Sequence, residues 1–100
     1  MALFRAAIPP PVAEVIRHLH PDLKRTVKQA IRALCADPTC GDPLQKELEG
    51  YRKYRVRRFR IVYRIDRANR TIRIVAVGPR RTIYEQAAEQ LRERQSTKGI

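Results

Sequence analysis

Between Tyr51 and Arg81 the chain carries twelve Lys or Arg residues against a single acid, Asp66. Guanidinium groups are planar, permanently charged and present a fork of donors that matches phosphate oxygens, so such a stretch suits a polyanion. Lys53, Arg55, Arg57, Arg60, Arg64 and Arg73 occupy the polar positions of an alternating pattern, which places them on one face of a sheet. Residues 1–50 hold seven basic and six acidic residues, so nearly all of the net charge of +12 lies in the second half. Other chemistries are poorly served. His18 and His20 lie two apart with no acids or cysteines clustered beside them, and Cys35 and Cys40 form a C-x4-C pair without the second pair a zinc site needs. The glycines make no phosphate-binding loop pattern. No metal site is expected, and both cysteines are expected to be free thiols.

A chain of 100 residues with 43% hydrophobic content fits one folded domain, so the 22 basic residues decorate a core and do not mark a disordered tail. No run of about 18 apolar residues is available for a membrane span, and the proline-rich start does not read as a signal peptide. A cytoplasmic location follows as the default expectation.

The elements that must position the basic face are readable from periodicity. Leu3 to Ile8 suits a short strand closed by Pro9, Pro10 and Pro11. Apolar residues at 12, 15, 16 and 19 give one face of a helix ending near His20. Pro21 then suits the first turn of a second helix, whose apolar face is Leu23, Val27, Ala30, Ile31 and Leu34 and which Asp37-Pro38 stops. Residues 37–50 read as a loop. After Gly50 the period becomes two: Tyr54 and Val56, then Phe59, Ile61, Tyr63 and Ile65, with a turn or bulge at Arg57-Arg58 to reverse the parity. Ile72, Ile74 and Ala76 continue the inward face of a third strand. Thr82 and Glu85 fit a capping box, predicting a last helix from about Ile83 to about Arg94 and a frayed tail over 95–100. The pattern predicts one sheet face as core and the opposite face as cationic.

The segment Leu48-Glu49-Gly50, the strand Arg60-Ile61-Val62-Tyr63-Arg64-Ile65 and the closing Val77-Gly78-Pro79-Arg80-Arg81-Thr82-Ile83-Tyr84-Glu85 together resemble the RelE/ParE superfamily of bacterial type II toxin–antitoxin toxins. The resemblance covers essentially the whole chain. It implies an α+β RelE-like microdomain over residues 1–94, with a twisted antiparallel sheet packed against an N-terminal helical hairpin, and a C-terminal helix. One branch of the superfamily cleaves mRNA in the ribosomal A site without metal; the other poisons DNA gyrase. The positions matching the nuclease branch are Arg55 and Arg57, Arg60, Arg80 or Arg81, and Tyr84. Where the best-known nucleases have lysines on the strand at 53–57, this chain has Arg55 and Arg57, and an arginine does not readily surrender its proton.

On this reading the RNA 2′-hydroxyl attacks the adjacent phosphate, and Arg60 with Arg80 or Arg81 opposes the developing charge. Tyr84 is the first candidate for proton transfer or base stacking and Lys53 the second. Arg55, Arg57, Arg58, Arg64 and Arg73 are the expected RNA contacts. The expected partners are a cognate antitoxin, mRNA and the ribosome, with DNA reached only through an antitoxin complex. Two other functions compete: a ParE-like gyrase inhibitor, and a non-catalytic RNA- or ribosome-binding module using the same cationic face.

Overall fold

The computed structural model describes residues 3–98. In chain order the elements are β1 (Arg5–Ala7), α1 (Pro10–Arg17), α2 (Pro21–Ala36), β2 (Asp42–Pro43), β3 (Arg52–Val56), β4 (Phe59–Asp66), β5 (Thr71–Pro79) and α3 (Ile83–Lys98), with single 3-10 turns at Pro38–Cys40 and Lys46–Leu48. This is the expected α+β arrangement of helical hairpin, sheet and final helix. The strands form one five-stranded sheet in the order β1-β5-β4-β3-β2. Pairings β2–β3, β3–β4 and β4–β5 are antiparallel, whereas β1 lies parallel to β5, so the sheet is mixed and not wholly antiparallel.

Both helices of the hairpin begin on proline, whose missing N–H would have no partner in a first turn. His20 caps α2, its Nδ1 accepting from the Asp22 N–H at 3.3 Å, and the His18 Nδ1 lies 2.9 Å from the Glu14 carbonyl oxygen. The two histidines therefore serve helix ends. Val12 and Ile16 of α1 and Val27, Ala30, Ile31 and Leu34 of α2 pack on Val56, Ile61, Tyr63, Ile72, Ile74 and Val77 of the sheet. Fully burying each such aliphatic side chain is worth about 1.5–3 kcal/mol, which makes this layer the main source of stability.

The parity change between Val56 and Phe59 is a two-residue hairpin turn in which Arg57 adopts φ 55°. A second parity change went unpredicted. Val62 pairs with Ala76 but Tyr63 pairs with Ile74, leaving Val75 as an extra residue in β5. The bulge turns Ala76 away from the hairpin side, contrary to the expected inward run, and restores Val77 to it. Val75 and Ala76 instead join Leu48, Val62, Ile83 and Ala87 in a second apolar cluster on the opposite sheet face. That face is thus not simply cationic, because α3 lies on part of it. The helix also runs to Lys98, four residues beyond the expected end at Arg94; Gly99 and Ile100 lie outside the described residues. Its start is at Ile83 as expected, but the Thr82 N–H is donated to the Pro79 carbonyl at 3.2 Å in place of a reciprocal box with Glu85.

The segment read as a loop over 37–50 is tied to the sheet by Tyr63. This side chain is fully buried, donates its hydroxyl to the Pro38 carbonyl at 2.6 Å and accepts from the Gly41 N–H at 3.1 Å. Gly41 allows the approach: a Cβ there would clash with the Tyr63 hydroxyl and sit 2.6 Å from the Lys53 carbonyl oxygen. Arg52 adds a bond from Nη1 to the Gly41 carbonyl at 2.7 Å. Burial, only partly offset by the Gly41 N–H, pushes the Tyr63 phenol up to about 12. Its folded value lies above the ordinary 10.0, so the stabilisation is fully present below about pH 10 and is lost as pH rises through about 12. Tyr63→Phe should cost about 1–3 kcal/mol by leaving Gly41 N–H and Pro38 C=O without their partner. In urea titrations at pH 8 and pH 11, the variant should also lose the part of the alkaline destabilisation that Tyr63 contributes; an unchanged midpoint at pH 8 would contradict this role.

Candidate functional site

Lys53 and Arg55 alternate along β3 with the inward Tyr54 and Val56, and Arg60 lies directly across from Arg55 on β4. Arg80 follows the last residue of β5, where its backbone N–H is donated to the Arg58 carbonyl at 3.1 Å, and Tyr84 occupies the first turn of α3. These five side chains converge with Leu44, Gln45 and Leu48 on one open groove of about 460 Å³. The sheet supplies three cations, the β5–α3 connection supplies a fourth, and the helix supplies the phenol. A smaller depression of about 310 Å³ beside it shares Gln45, Leu48 and Tyr84 and is otherwise lined by Lys46, Glu47 and the flank of α3 at Glu85, Ala88 and Arg92.

Arg60 is the unexpected member. Only 8% of it is exposed, although the alternation puts it on the cationic face opposite the core. Its Nη1 donates to the carbonyls of Phe59 at 3.0 Å and Arg57 at 3.2 Å, so the hairpin turn, not a carboxylate, holds the guanidinium. An arginine has five N–H donors. With Nη1 engaged on backbone, Nε and Nη2 remain to bind an anion in the groove, and among the described residues no acid pairs with the charge. Such a group is positioned before any ligand arrives.

Tyr84 is half-buried, and the Lys53 Nζ lies 6.0 Å from its ring centroid, at the outer limit of a cation–π contact. The two candidates for proton transfer are therefore neighbours across the groove. Leu44, Gln45 and Leu48, which also line the groove, were not anticipated as site residues. Their signal was faint: two leucines four apart in an otherwise polar segment.

The remaining predicted residues are distributed elsewhere. Arg57 and Arg58 form the exposed hairpin turn, and Arg81 is exposed in the turn before α3; none of the three lines the groove. Arg64 and Arg73 lie at the opposite end of β4–β5, in a separate depression with Ile65, Asp66 and Arg67. The cationic face is thus divided in two, with the apolar cluster under α3 in between. Among the described residues no group of His, Cys, Asp or Glu is placed to hold a metal ion, and no helix is long and apolar enough to cross a membrane. Cys35 and Cys40 are free thiols.

A family model described as the ParE toxin of the type II toxin–antitoxin system parDE matches residues 12–84. The chain belongs to this toxin family. Solved toxins of the same superfamily share its architecture. The toxin resembles a chain of the RelBE2 toxin–antitoxin complex from Mycobacterium tuberculosis with a TM-score of 0.72 and 27% identity, covering 80% of this chain and 94% of that one. It resembles a mutant of the E. coli toxin RelE in the free state with a TM-score of 0.73 and 18% identity, over 90% of this chain and 98% of that one. The archaeal RelE–RelB complex from Pyrococcus horikoshii OT3 gives a TM-score of 0.65 and 18% identity, over 80% and 97%. No match was found among curated proteins. The toxin is accordingly a type II toxin of the RelE/ParE superfamily.

Proposed function

We propose that this toxin is a ribosome-dependent mRNA endonuclease, acting in the cytoplasm without a metal ion and held inactive by a cognate antitoxin. The observation that carries the reading is the groove itself: Lys53, Arg55, Arg60 and Arg80 face a phenol across a space the size of a nucleotide or two. Cleavage by the RNA 2′-hydroxyl needs a proton removed from that hydroxyl, negative charge opposed on the phosphorane, and a proton delivered to the departing 5′ oxygen. Arg60, held by two carbonyls, and Arg80, held at the end of β5, bind the phosphate and oppose the charge. Tyr84 and Lys53 are the groups left for the proton transfers. The solved relatives crystallised as toxin–antitoxin complexes support an antitoxin partner. An acidic segment laid across the groove would block it by direct charge complementarity.

A short single-stranded RNA occupying only the groove would set one or two phosphates against its cations, so log K should fall with log salt at a slope of about −0.7 to −1.4, a loss of roughly 3- to 7-fold between 50 and 200 mM. Salt-independent binding would remove the groove as the contact surface. A gyrase-directed activity is the second reading, and the match to the ParE family model over 12–84 favours it. Expressing the toxin in cells and mapping both 5′ ends of transcripts and chromosomal breaks separates the two. Cuts within coding regions support the nuclease, and DNA breaks without them overturn it.

A further inference from the structure

Arg64 and Arg73 are direct partners across the β4–β5 pairing, on the sheet face away from the helical hairpin. Like charges directly opposite one another on a sheet are destabilising. Only one of the pair is relieved. Asp66 accepts from the Arg73 Nη2 at 3.3 Å, and the same carboxylate also accepts from the Asn69 amide at 3.0 Å and the Asn69 N–H at 3.2 Å. Those Asn69 bonds, with Arg73 second, hold the Asp66 carboxyl below its ordinary value, so it remains a fixed, fully committed anion. Among the described residues neither Arg64 nor Arg67 has an acidic partner. Both are exposed, and both line the depression of about 490 Å³ that Asp66 and Arg73 close. The result is a concave site with three guanidinium groups, one carboxylate and a net charge of two, built around an unfavourable pairing that an anion would relieve.

We propose that this depression is a second phosphate-binding site, distinct from the groove, that anchors the backbone of the same single-stranded RNA through Arg64 and Arg67. The proposal rests on the RNA reading of the groove. Arg60 and Arg64 lie on one face of one strand, four residues and therefore about 13 Å apart. Stacked nucleotides rise about 3.4 Å each, so the two sites are separated by about four nucleotides. Val62 lies between them under α3, so the intervening RNA bridges the gap and does not lie on the sheet. RNA that fills the groove alone cannot reach the anchor, whereas RNA extended by several nucleotides can.

The test compares 2′-O-methyl RNA of about two and about twelve nucleotides by fluorescence anisotropy over a range of salt, a probe that cannot be cleaved by its own 2′ oxygen. Wild-type toxin should bind the longer strand about tenfold more tightly than the shorter, with two exposed charge contacts added. The Arg64→Gln, Arg67→Gln double variant should lose that preference and reduce the salt slope for the long strand by about 1.4. It should keep the wild-type affinity for the short strand, and its urea midpoint should be equal or higher because the opposed charges are gone. A Lys24→Gln, Lys28→Gln variant removes the same charge from α2 and should retain the length preference. A wild type indifferent to length, a double variant that keeps the preference, or an α2 variant that loses it would each overturn the anchor. Ribosome-dependent cleavage by the same preparations reports separately on the groove: active cleavage with no length preference sinks only the anchor, and absent cleavage with an intact anchor sinks only the nuclease.

Discussion

Arg60→Ala is expected to slow single-turnover mRNA cleavage on ribosomes by about 10²–10³-fold, the range seen when one preorganised donor to a developing anion is removed. The size of the effect follows from how Arg60 is held. Its Nη1 is fixed by the Phe59 and Arg57 carbonyls and the side chain is nearly buried, so the donors that remain need little reorganisation when charge develops on the phosphate. Arg60→Lys keeps a charge but loses the planar fork. A lysine ammonium bonding the same two carbonyls has one donor left, so this variant should also slow the chemical step more than it weakens ribosome binding. Exposed Arg81, which does not line the groove, provides the contrast: Arg81→Ala should change cleavage by less than about tenfold on that placement. If Arg60→Lys cleaves at the normal rate, the guanidinium geometry is irrelevant and Arg60 serves only as local charge.

Several features of this site could be read from residue order and others could not, for identifiable reasons. Alternation exposed β3 and β4 because Arg and Lys separate Tyr54 and Val56, then Phe59, Ile61, Tyr63 and Ile65. The same alternation places Lys53, Arg55 and Arg60 on one face, where the structure has them. The β5 bulge was invisible because Ile74, Val75, Ala76 and Val77 are all apolar, and an apolar run carries no period that an inserted residue can break. Once that bulge is missed, Ala76 is assigned to the wrong face and the second cluster beneath α3 disappears. With it goes the division of the arginines into two groups. The two-residue strand Asp42–Pro43 had no chance of detection, since neither residue favours a strand and Pro cannot donate to a ladder. Arg60 is the most instructive case. An arginine in an alternating pattern reads as solvent-facing, and its burial depends on a hairpin turn whose carbonyls happen to point back at it.

Tyr84→Phe separates proton transfer from every other role of the aromatic ring. The substitution keeps the ring, its packing at the start of α3 and its position 6.0 Å from the Lys53 ammonium, and removes only the hydroxyl. If the phenol exchanges a proton with the 2′-hydroxyl or the 5′ oxygen, single-turnover cleavage should fall by about 10²-fold or more, with ribosome affinity nearly unchanged. A stacking role predicts the reverse pattern: Tyr84→Phe cleaves normally, and only Tyr84→Ala is impaired, through binding. Lys53→Ala discriminates further because Lys53 is the other group in the groove able to give up a proton, while Arg55 beside it is not. Should Lys53→Ala be inactive while Tyr84→Phe retains the wild-type rate, the proton-transfer role passes to Lys53 and the tyrosine becomes its platform. Normal cleavage by both variants would leave Arg60 and Arg80 as an electrostatic clamp and move proton transfer to the RNA, the ribosome or solvent. Each outcome assigns the proton to a different atom, and all are reached with substitutions that leave the sheet and its arginines in place.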